Sequence, residues 1–394
     1  MKKILFVSGL SIKPHSGGVE RITHLLTTEM LSRGYEIMYL ALRCEEKDND
    51  VVYSAPQYFF PTSDVFSQDN TIFYNNFIRE HQIDVVINQQ CPGNESYLFL
   101  NLDPDNRKNV KVITVCHNKP LCGLDHFHKY SERKIEISAV ETVKFGIKLS
   151  LFPVFRFIRK QRRKRSFQFI IKNSDHFVVY TDAYAKEISE ILNRDENDIS
   201  AVVIPNPNTY SYNGENNFDK KKQVLYVGRF SSNQKRPDLL LKIWRKMYKQ
   251  HPDWELIFCG SGEMEKMMKH YAKKHKLQNV TFCGTVDPLP YYQQASIFAM
   301  TSIYEGFPMV LTEAMKNECV PIAFDSFAAV NDVIIPGKTG VLVRHFNLSE
   351  FSQKLSDLMA DEQQRKTMAK EAMQHVKRFD ISNIIEKWIR LIEK

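Results

Sequence analysis

Val224-Leu225-Tyr226-Val227 is a short apolar run that passes through Gly228-Arg229-Phe230-Ser231-Ser232-Asn233-Gln234-Lys235-Arg236-Pro237 into Asp238–Lys249, whose apolar residues recur at helical spacing. A buried strand, a turn at glycine, and a proline at a helix start make one β-loop-α step. The step repeats downstream. Glu255–Cys259, Val280–Cys283, Ser296–Thr301, Val320–Phe324 and Gly340–Val343 read as strands, and Met264–His275 and Met309–Asn317 as helices. Leu348–Ala360, Gln363–Arg378 and an amphipathic Ile381–Glu393 close the chain as helices. Upstream, strands at Ile4–Gly9, Tyr35–Leu42, Ile83–Asn88, Val110–Cys116 and Phe177–Thr181 alternate with helices at Gly18–Arg33 and Thr71–His81. Buried strands separated by helices imply parallel βαβ units. Between the two series, Val202–Pro207 leads into the polar, turn-rich Tyr210–Lys222, which suits an interdomain linker. The prediction is an α/β protein of two Rossmann-like domains, residues 1–207 and 208–380, with residues 381–394 crossing back to the first. Loops at the carboxyl ends of the strands converge on a cleft between such domains, a natural place for a nucleotide.

The bulk properties agree. A chain of 394 residues exceeds one ordinary core. Its 43% hydrophobic and 25% charged residues argue against disorder. The net charge of +8 fits an anionic substrate, membrane surface or nucleic acid without choosing among them. The seven cysteines (Cys44, Cys91, Cys116, Cys122, Cys259, Cys283, Cys319) are odd in number and lack C-x-x-C spacing. That speaks against a disulfide framework and a zinc site, and for buried thiols in a reducing compartment. Met1–Gly9 reads as a first strand rather than a signal peptide, and no apolar stretch reaches membrane-spanning length. A cytoplasmic location is expected.

Four loops carry chemistry suited to a sugar diphosphate. Ser16-Gly17-Gly18-Val19-Glu20 precedes a helix, where paired glycines admit a phosphate to backbone N–H groups; a plain tight turn is the alternative. Gly228 to Pro237 offers Arg229 and Lys235 as a clamp for charge building on a departing phosphate, against the alternative of a solvated basic loop. In Tyr304-Glu305-Gly306-Phe307-Pro308-Met309-Val310-Leu311-Thr312-Glu313-Ala314-Met315 two carboxylates lie eight positions apart. Glu305 is placed to reach sugar hydroxyls, Glu313 to hold a ribose, and the N–H groups near Phe307–Val310 to take a phosphate oxygen. The competing readings are a helix-surface charge for Glu313 and a macrodipole-favoured charge for Glu305. Val115-Cys116-His117-Asn118 puts His117 at a strand end, either to bond the sugar through its ring, to support it through its backbone carbonyl, or to serve structure alone.

The segment Val227-Gly228-Arg229…Lys235-Arg236-Pro237-Asp238-Leu239-Leu240-Leu241 resembles the donor-phosphate motif of the family 4 glycosyltransferases with the GT-B fold. Glu305 to Met315 resembles their E-x7-E motif. The likeness extends through Ser174–Ser189, Val203–Asn206, Phe258–Met264, Gly337–Val343 and the closing helix. The resemblance implies that Arg229 and Lys235 bind the diphosphate, that Glu305 faces the donor sugar and that Glu313 holds the ribose. It also implies that Gly17 and Gly18 approach the phosphates, that Gly228 and Phe307, Pro308, Met309, Val310 and Leu311 line the donor site, and that His117 lies by the transferred sugar. One departure is visible: five residues separate Arg229 from Lys235 where the family has four. The family retains anomeric configuration, with the leaving phosphate itself taking the acceptor proton. It implies a nucleotide-sugar donor, UDP-linked and carrying a hexose or N-acetylhexosamine, a glycan or lipid-linked acceptor, and a setting in bacterial polysaccharide assembly. No cofactor is expected, and no metal: Asp48-Asn49-Asp50 and Asp103-Pro104-Asp105 match D-x-D formally but sit in turn-like stretches.

Lys144–Arg165 (KFGIKLSLFPVFRFIRKQRRKR) holds nine Lys/Arg and no acid, interleaved with large apolar residues. This suits an anionic membrane surface, and hence a peripheral place on the inner face of the cell membrane. A solvated face packed on the core competes with that reading. Nucleic acid is not expected as a partner, since no recognition module accompanies the run. Pro153 predicts two short helical pieces. Two other functions stay open: a GT-B enzyme of another reaction, such as a sugar-nucleotide epimerase or phosphorylase, and a non-catalytic membrane-binding partner subunit.

Overall fold

The computed structural model describes residues 2–13, 17–44, 53–122, 151–195, 199–210 and 219–394. They form two compact units. The first comprises Met1–Cys122, Arg156–Thr209 and Ile381–Lys394; the second runs over Tyr210–Asp380 and takes in Leu151–Phe155.

In the first unit, β1 (Lys3–Leu10), β2 (Glu36–Arg43), β3 (Gln57–Phe59), β4 (Val85–Asn88), β5 (Lys111–Val115), β6 (His176–Val179) and β7 (Ala201–Val203) pair in the order β3-β2-β1-β4-β5-β6-β7. Every pair is parallel, with Ile4 opposite Ile37 on one side and Val85 on the other. The central strands are continuous apolar runs because helices cover both faces: Ile4 to Val7 and Val85 to Ile87 are fully buried. Between β1 and β2 runs the helix Gly18–Ser32, which buries Ile22, Leu26 and Met30. The helix Gln68–Glu80 begins three residues before the expected Thr71, because the Ser67 hydroxyl accepts from Asn70 N and caps it. The closing helix Ile381–Glu393 packs on this unit through Ile384, Ile385, Trp388, Leu391 and Ile392. Lys2 and Lys111 donate to the Ile392 carbonyl at 2.6 and 2.8 Å, and Arg33 pairs with Glu386. These are C-terminal carbonyls receiving cations, the arrangement a helix end favours.

In the second unit, β8 (Lys221–Val227), β9 (Glu255–Cys259), β10 (Val280–Gly284), β11 (Ala295–Met300), β12 (Val320–Asp325) and β13 (Val341–Arg344) pair in parallel in the order β10-β9-β8-β11-β12-β13. The chain winds outward over β9 and β10 and then returns to lay β11 beside β8. The strand order reverses at that point, and the loops after β8 and β11 stand side by side there, at the place where open α/β sheets hold their ligands. The helix Pro237–Met247 follows β8 and buries Leu239, Leu240, Leu241, Ile243, Trp244 and Met247. It starts on Arg236 in the left-handed region (φ 48°), a conformation uncommon outside glycine. Arg236 is fully buried and meets Asp238 through two bonds of 2.8 and 2.9 Å. Removing one partner of such a pair costs about 3–5 kcal/mol.

Of the two short pieces expected around Pro153, the first falls on residues 144–150, outside the described residues. The second is corrected in length: Phe152–Asn173 is one helix of 22 residues with Pro153 in its first turn, where the missing N–H has no helical partner to lose. The strand β3 and the short helices Ser96–Phe99 and Pro104–Asn109 were not expected; each is too brief to show periodicity.

Candidate functional site

The turn at Gly228 brings the basic loop to the carboxyl end of β8. Gly228, at φ +150°, donates its N–H to Cys259 O, and Phe230 N bonds Ser261 O. The loop after β9 lies directly underneath. A Cβ on Gly260 would fall 2.0 Å from Gly228 O, and one on Gly262 would fall 2.8 Å from Phe230 O. Side chains at either position would displace the backbone that carries Arg229. Arg229 itself is exposed, and its guanidinium makes no hydrogen bond or ion pair among the described residues. Lys235 points the other way. Its Nζ lies 2.7 Å from Glu305 Oε1, with side-chain exposures of 18% and 8%. The two loops are also laced through their backbones: Ile303 N donates to Gln234 O at 2.8 Å, and Thr301 Oγ1 donates to the carbonyl of Arg236 at 2.8 Å. Between the two cations, Ser232 N and Oγ both donate to Glu263 Oε1. With five residues between it and Arg229, Lys235 meets Glu305. Tyr226 closes the floor beneath; burial, reinforced by the carboxylates of Glu305 and Asp238, holds its phenol well above the usual range.

Glu305 is 6% exposed, so it is not a surface charge placed for a helix dipole. Phe307 and Pro308 are buried after it, Phe307 edge-on to Phe379. The helix Met309–Lys316 then begins, with Met309 and Val310 half-buried and Leu311 fully buried in its first turn. In that turn Met309 N already donates to Phe307 O at 3.0 Å and Leu311 N to Pro308 O at 2.9 Å, so an anion there would meet the positive end of the helix dipole more than a set of open N–H groups. Glu313 is 1% exposed, which excludes helix-surface decoration. Its Oε2 accepts from the Tyr292 hydroxyl at 3.0 Å, inside the domain.

In the first unit, Gly17 and Gly18 are exposed at the N-terminus of Gly18–Ser32, Gly17 in extended backbone. Ser16 lies outside the described residues. His117 follows β5, and its ring is clamped by the strands on either side of β5. Nδ1 lies 2.5 Å from the Tyr180 hydroxyl beyond β6, and Nε2 bonds Gln89 Oε1 beyond β4. Burial pushes its pKa down to about 3, so the ring is neutral. Both nitrogens are engaged inside the domain, while the His117 carbonyl accepts nothing among the described residues. Of the contacts the sequence left open, the backbone one is free.

Asp103 is the N-cap of Pro104–Asn109, accepts from Asn106 N and pairs with Arg79, which accounts for this D-x-D match as a helix cap. The other, Asp48-Asn49-Asp50, lies outside the described residues. No cluster of three or more metal-type ligands occurs among the described residues. Cys91, Cys116, Cys259 and Cys319 are buried thiols as expected, whereas Cys44 is exposed. Of the basic run, residues 144–150 lie outside the described residues. The remainder forms the first half of Phe152–Asn173, where Val154, Phe155, Phe157 and Ile158 are exposed together with Arg156, Arg159, Lys160 and Arg162. Burial begins at Phe167, so the amino half is not a face packed on the core. No described helix is long and apolar enough to cross a membrane.

Residues 16–207 match the model of Glycosyltransferase Family 4, and residues 211–375 match that of Glycosyl transferases group 1. Similar proteins include an uncharacterized glycosyltransferase of Haemophilus influenzae, 32% identical over 189 residues that cover 48% of this chain and 53% of that protein. AmsD, the amylovoran biosynthesis glycosyltransferase of Erwinia amylovora, is 32% identical over 228 residues, 53% of this chain and 63% of its own. The chain thus spans between half and two thirds of these two relatives. A Campylobacter jejuni alpha-1,4-N-acetyl-D-galactosaminyltransferase acting on a diNAcBac-PP-undecaprenol-linked glycan is 26% identical over 351 residues, 81% of this chain and 92% of its own. Among solved structures, a mutant of S. aureus TarM in complex with Fondaparinux, alpha-GlcNAc-glycerol and UDP superposes with a TM-score of 0.76 at 15% identity over 100% of both chains. Anabaena HepE with UDP and glucose gives 0.71, also at 15% identity over 100% of both chains. At that identity they speak for the fold. With two parallel sheets of matching strand order and a family model on each half, the chain belongs to the family 4 and group 1 glycosyltransferases of GT-B fold.

Proposed function

We propose that this protein is a retaining glycosyltransferase that moves a hexose or N-acetylhexosamine from a UDP-sugar to a glycan or lipid-linked acceptor in bacterial polysaccharide assembly. The observation that carries the reading is the pairing of Lys235 with Glu305 beside an unpartnered Arg229, at the point where strand order reverses in the second unit. A diphosphate needs the two cations, and a sugar needs the carboxylate. Arg229 and Lys235 bind the diphosphate and stabilise the charge on the β-phosphate as the glycosidic bond breaks. Glu305 accepts hydrogen bonds from sugar hydroxyls. The His117 carbonyl offers a further acceptor, and Glu313 stiffens the helix whose positive end attracts a phosphate or, with a turn of its side chain, takes the ribose. The clamp does by fixed charge what a metal ion does elsewhere, so the reaction is proposed to be metal-independent. The donor class is supported by UDP in the related structures and the acceptor class by the Campylobacter relative.

The exposed half of Phe152–Asn173 supports a membrane partner as well. Apolar side chains on a cationic helix partition into the headgroup region of anionic lipid. That would bring the enzyme to a lipid-linked acceptor.

A panel of nucleotides and nucleotide sugars, screened by thermal stabilisation and then by calorimetry, tests the donor reading. Stabilisation by UDP and one UDP-sugar is the expected result. Indifference to every nucleotide would refute it. Product analysis with and without acceptor then separates transfer from epimerisation and phosphorolysis.

A further inference from the structure

Gln234 is the last residue before Lys235, and its amide is bonded twice. Nε2 carries two hydrogens; it lies 3.0 Å from Glu305 Oε2 and 3.2 Å from Tyr304 O. Its own carbonyl is bound by Ile303 N, and Thr301 Oγ1 holds the two carbonyls that follow, those of Lys235 and Arg236. Gln234 is therefore fixed to the Glu305 loop at both ends. Lys235 differs. It touches Glu305 Oε1 through the end of a flexible four-carbon stem.

A diphosphate drawn to Arg229 competes with Glu305 for the Lys235 ammonium, and it carries more negative charge than one carboxylate. When the lysine turns, Glu305 is left 6% exposed with one charge and one fewer donor. A buried carboxylate that loses a donor is costly, and one less firmly held rotates more easily. We propose that Gln234 is the positioning residue for Glu305. Lys235 is the partner that leaves for the diphosphate. The Gln234 amide keeps Oε2 throughout, so that Oε1 is presented to a hydroxyl of the donor sugar. This deepens the donor reading above and rests on it.

The consequence is a separation between nucleotide and sugar. UDP binding depends on Arg229 and Lys235, while the added affinity of a UDP-sugar depends on a correctly held Glu305. The test is calorimetry with UDP, UDP-glucose, UDP-galactose, UDP-N-acetylglucosamine and UDP-N-acetylgalactosamine on the wild type, on Gln234→Met and on Gln234→Glu. The methionine keeps length without a donor; the glutamate keeps shape and sets a second carboxylate beside the first, and serves if the methionine variant does not fold. In Gln234→Met the preferred UDP-sugar should lose about tenfold relative to UDP, the worth of one hydrogen bond to a charged group, beyond whatever UDP itself loses when Lys235 leaves Glu305. Gln234→Glu should lose more. A preferred UDP-sugar that keeps its full advantage over UDP in both variants overturns the proposal and leaves the donor reading standing. UDP and UDP-sugar affinities falling in step also overturn it, because Gln234 would then merely hold the loop. A wild type that binds no uridine nucleotide removes the donor reading, and this proposal with it.

Discussion

Lowering the pH from 7 to 5 should destabilise the first unit through His117. Both ring nitrogens are committed, one to Tyr180 and one to Gln89, and the residue is half-buried. A neutral imidazole satisfies this arrangement with one donor and one acceptor, whereas an imidazolium presents two donors and would force the Tyr180 hydroxyl to turn. The folded pKa stands at about 3 against an ordinary 6.5. The unfolded chain thus takes up a proton below about pH 6.5 that the folded chain refuses until about pH 3, and stability falls as pH drops through that window. At pH 5 the unfolded imidazole is nearly fully protonated, which amounts to a loss of about 2 kcal/mol relative to pH 7. His176 and His375 are also shifted down by burial, so the wild type alone is not diagnostic. The comparison with His117→Gln is, because their contributions cancel. Urea unfolding of both proteins at pH 7 and pH 5, followed by a probe in the first unit, should show the variant losing about 2 kcal/mol less on acidification. In parallel, the His117 ring resonance should stay in its neutral position down to pH 4.5. A resonance that titrates near 6.5, or equal acid sensitivity of the two proteins, would refute the neutral ring. It would also leave the His117 ring available to bond the sugar.

Arg229→Ala and Lys235→Ala should each lower turnover on the order of a hundredfold, because leaving-group charge is larger in the transition state than in the ground state; steady-state kinetics showing only a raised KM would contradict the assigned roles. Activity should survive EDTA, and complete loss restored by Mg²⁺ or Mn²⁺ would overturn the proposal that the basic clamp suffices. Arg159, Lys160, Arg162 and Arg165 are exposed on Phe152–Asn173, whereas Arg163 is half-buried beside Cys122. Replacing these four cations with Gln should weaken binding to anionic vesicles by about 4 kcal/mol, roughly a thousandfold, with UDP binding intact. Cosedimentation that is equal on neutral and anionic vesicles, or unchanged in the variant, would remove the membrane from the scheme.

Much of this protein is legible in one dimension because its elements are local. Apolar runs such as Ile4–Val7 or Leu256–Cys259 can only be buried strands. The Pro237 step and the polar stretch after Tyr210 mark where one series ends and another begins. The residue types of Arg229, Lys235, Glu305 and Glu313 were readable for the same reason, since loop chemistry at a strand end depends on nearby sequence. Pro153 shows the limit of that locality: it predicts short pieces, yet the helix that it begins runs on for 22 residues.

What only the tertiary structure decided is who meets whom. Lys235 and Glu305 lie 70 residues apart and touch because β11 returns to pair with β8. That adjacency follows from the winding of the whole sheet, and periodicity in either strand carries no trace of it. The same holds for Gly260 and Gly262, whose missing side chains matter only because the Gly228 loop lies against them. His117 is clamped by Gln89 and Tyr180 because β4 and β6 flank β5. The sequence already sends the closing helix back to the first unit; the structure decides whom it meets there, Lys2 and Lys111 at the Ile392 carbonyl and Arg33 at Glu386. Sequence pattern records each residue's preference for burial or solvent, and so determines the elements. The partner that satisfies a buried carboxylate or imidazole is fixed by non-local packing, and so is decided only when the sheet closes around it.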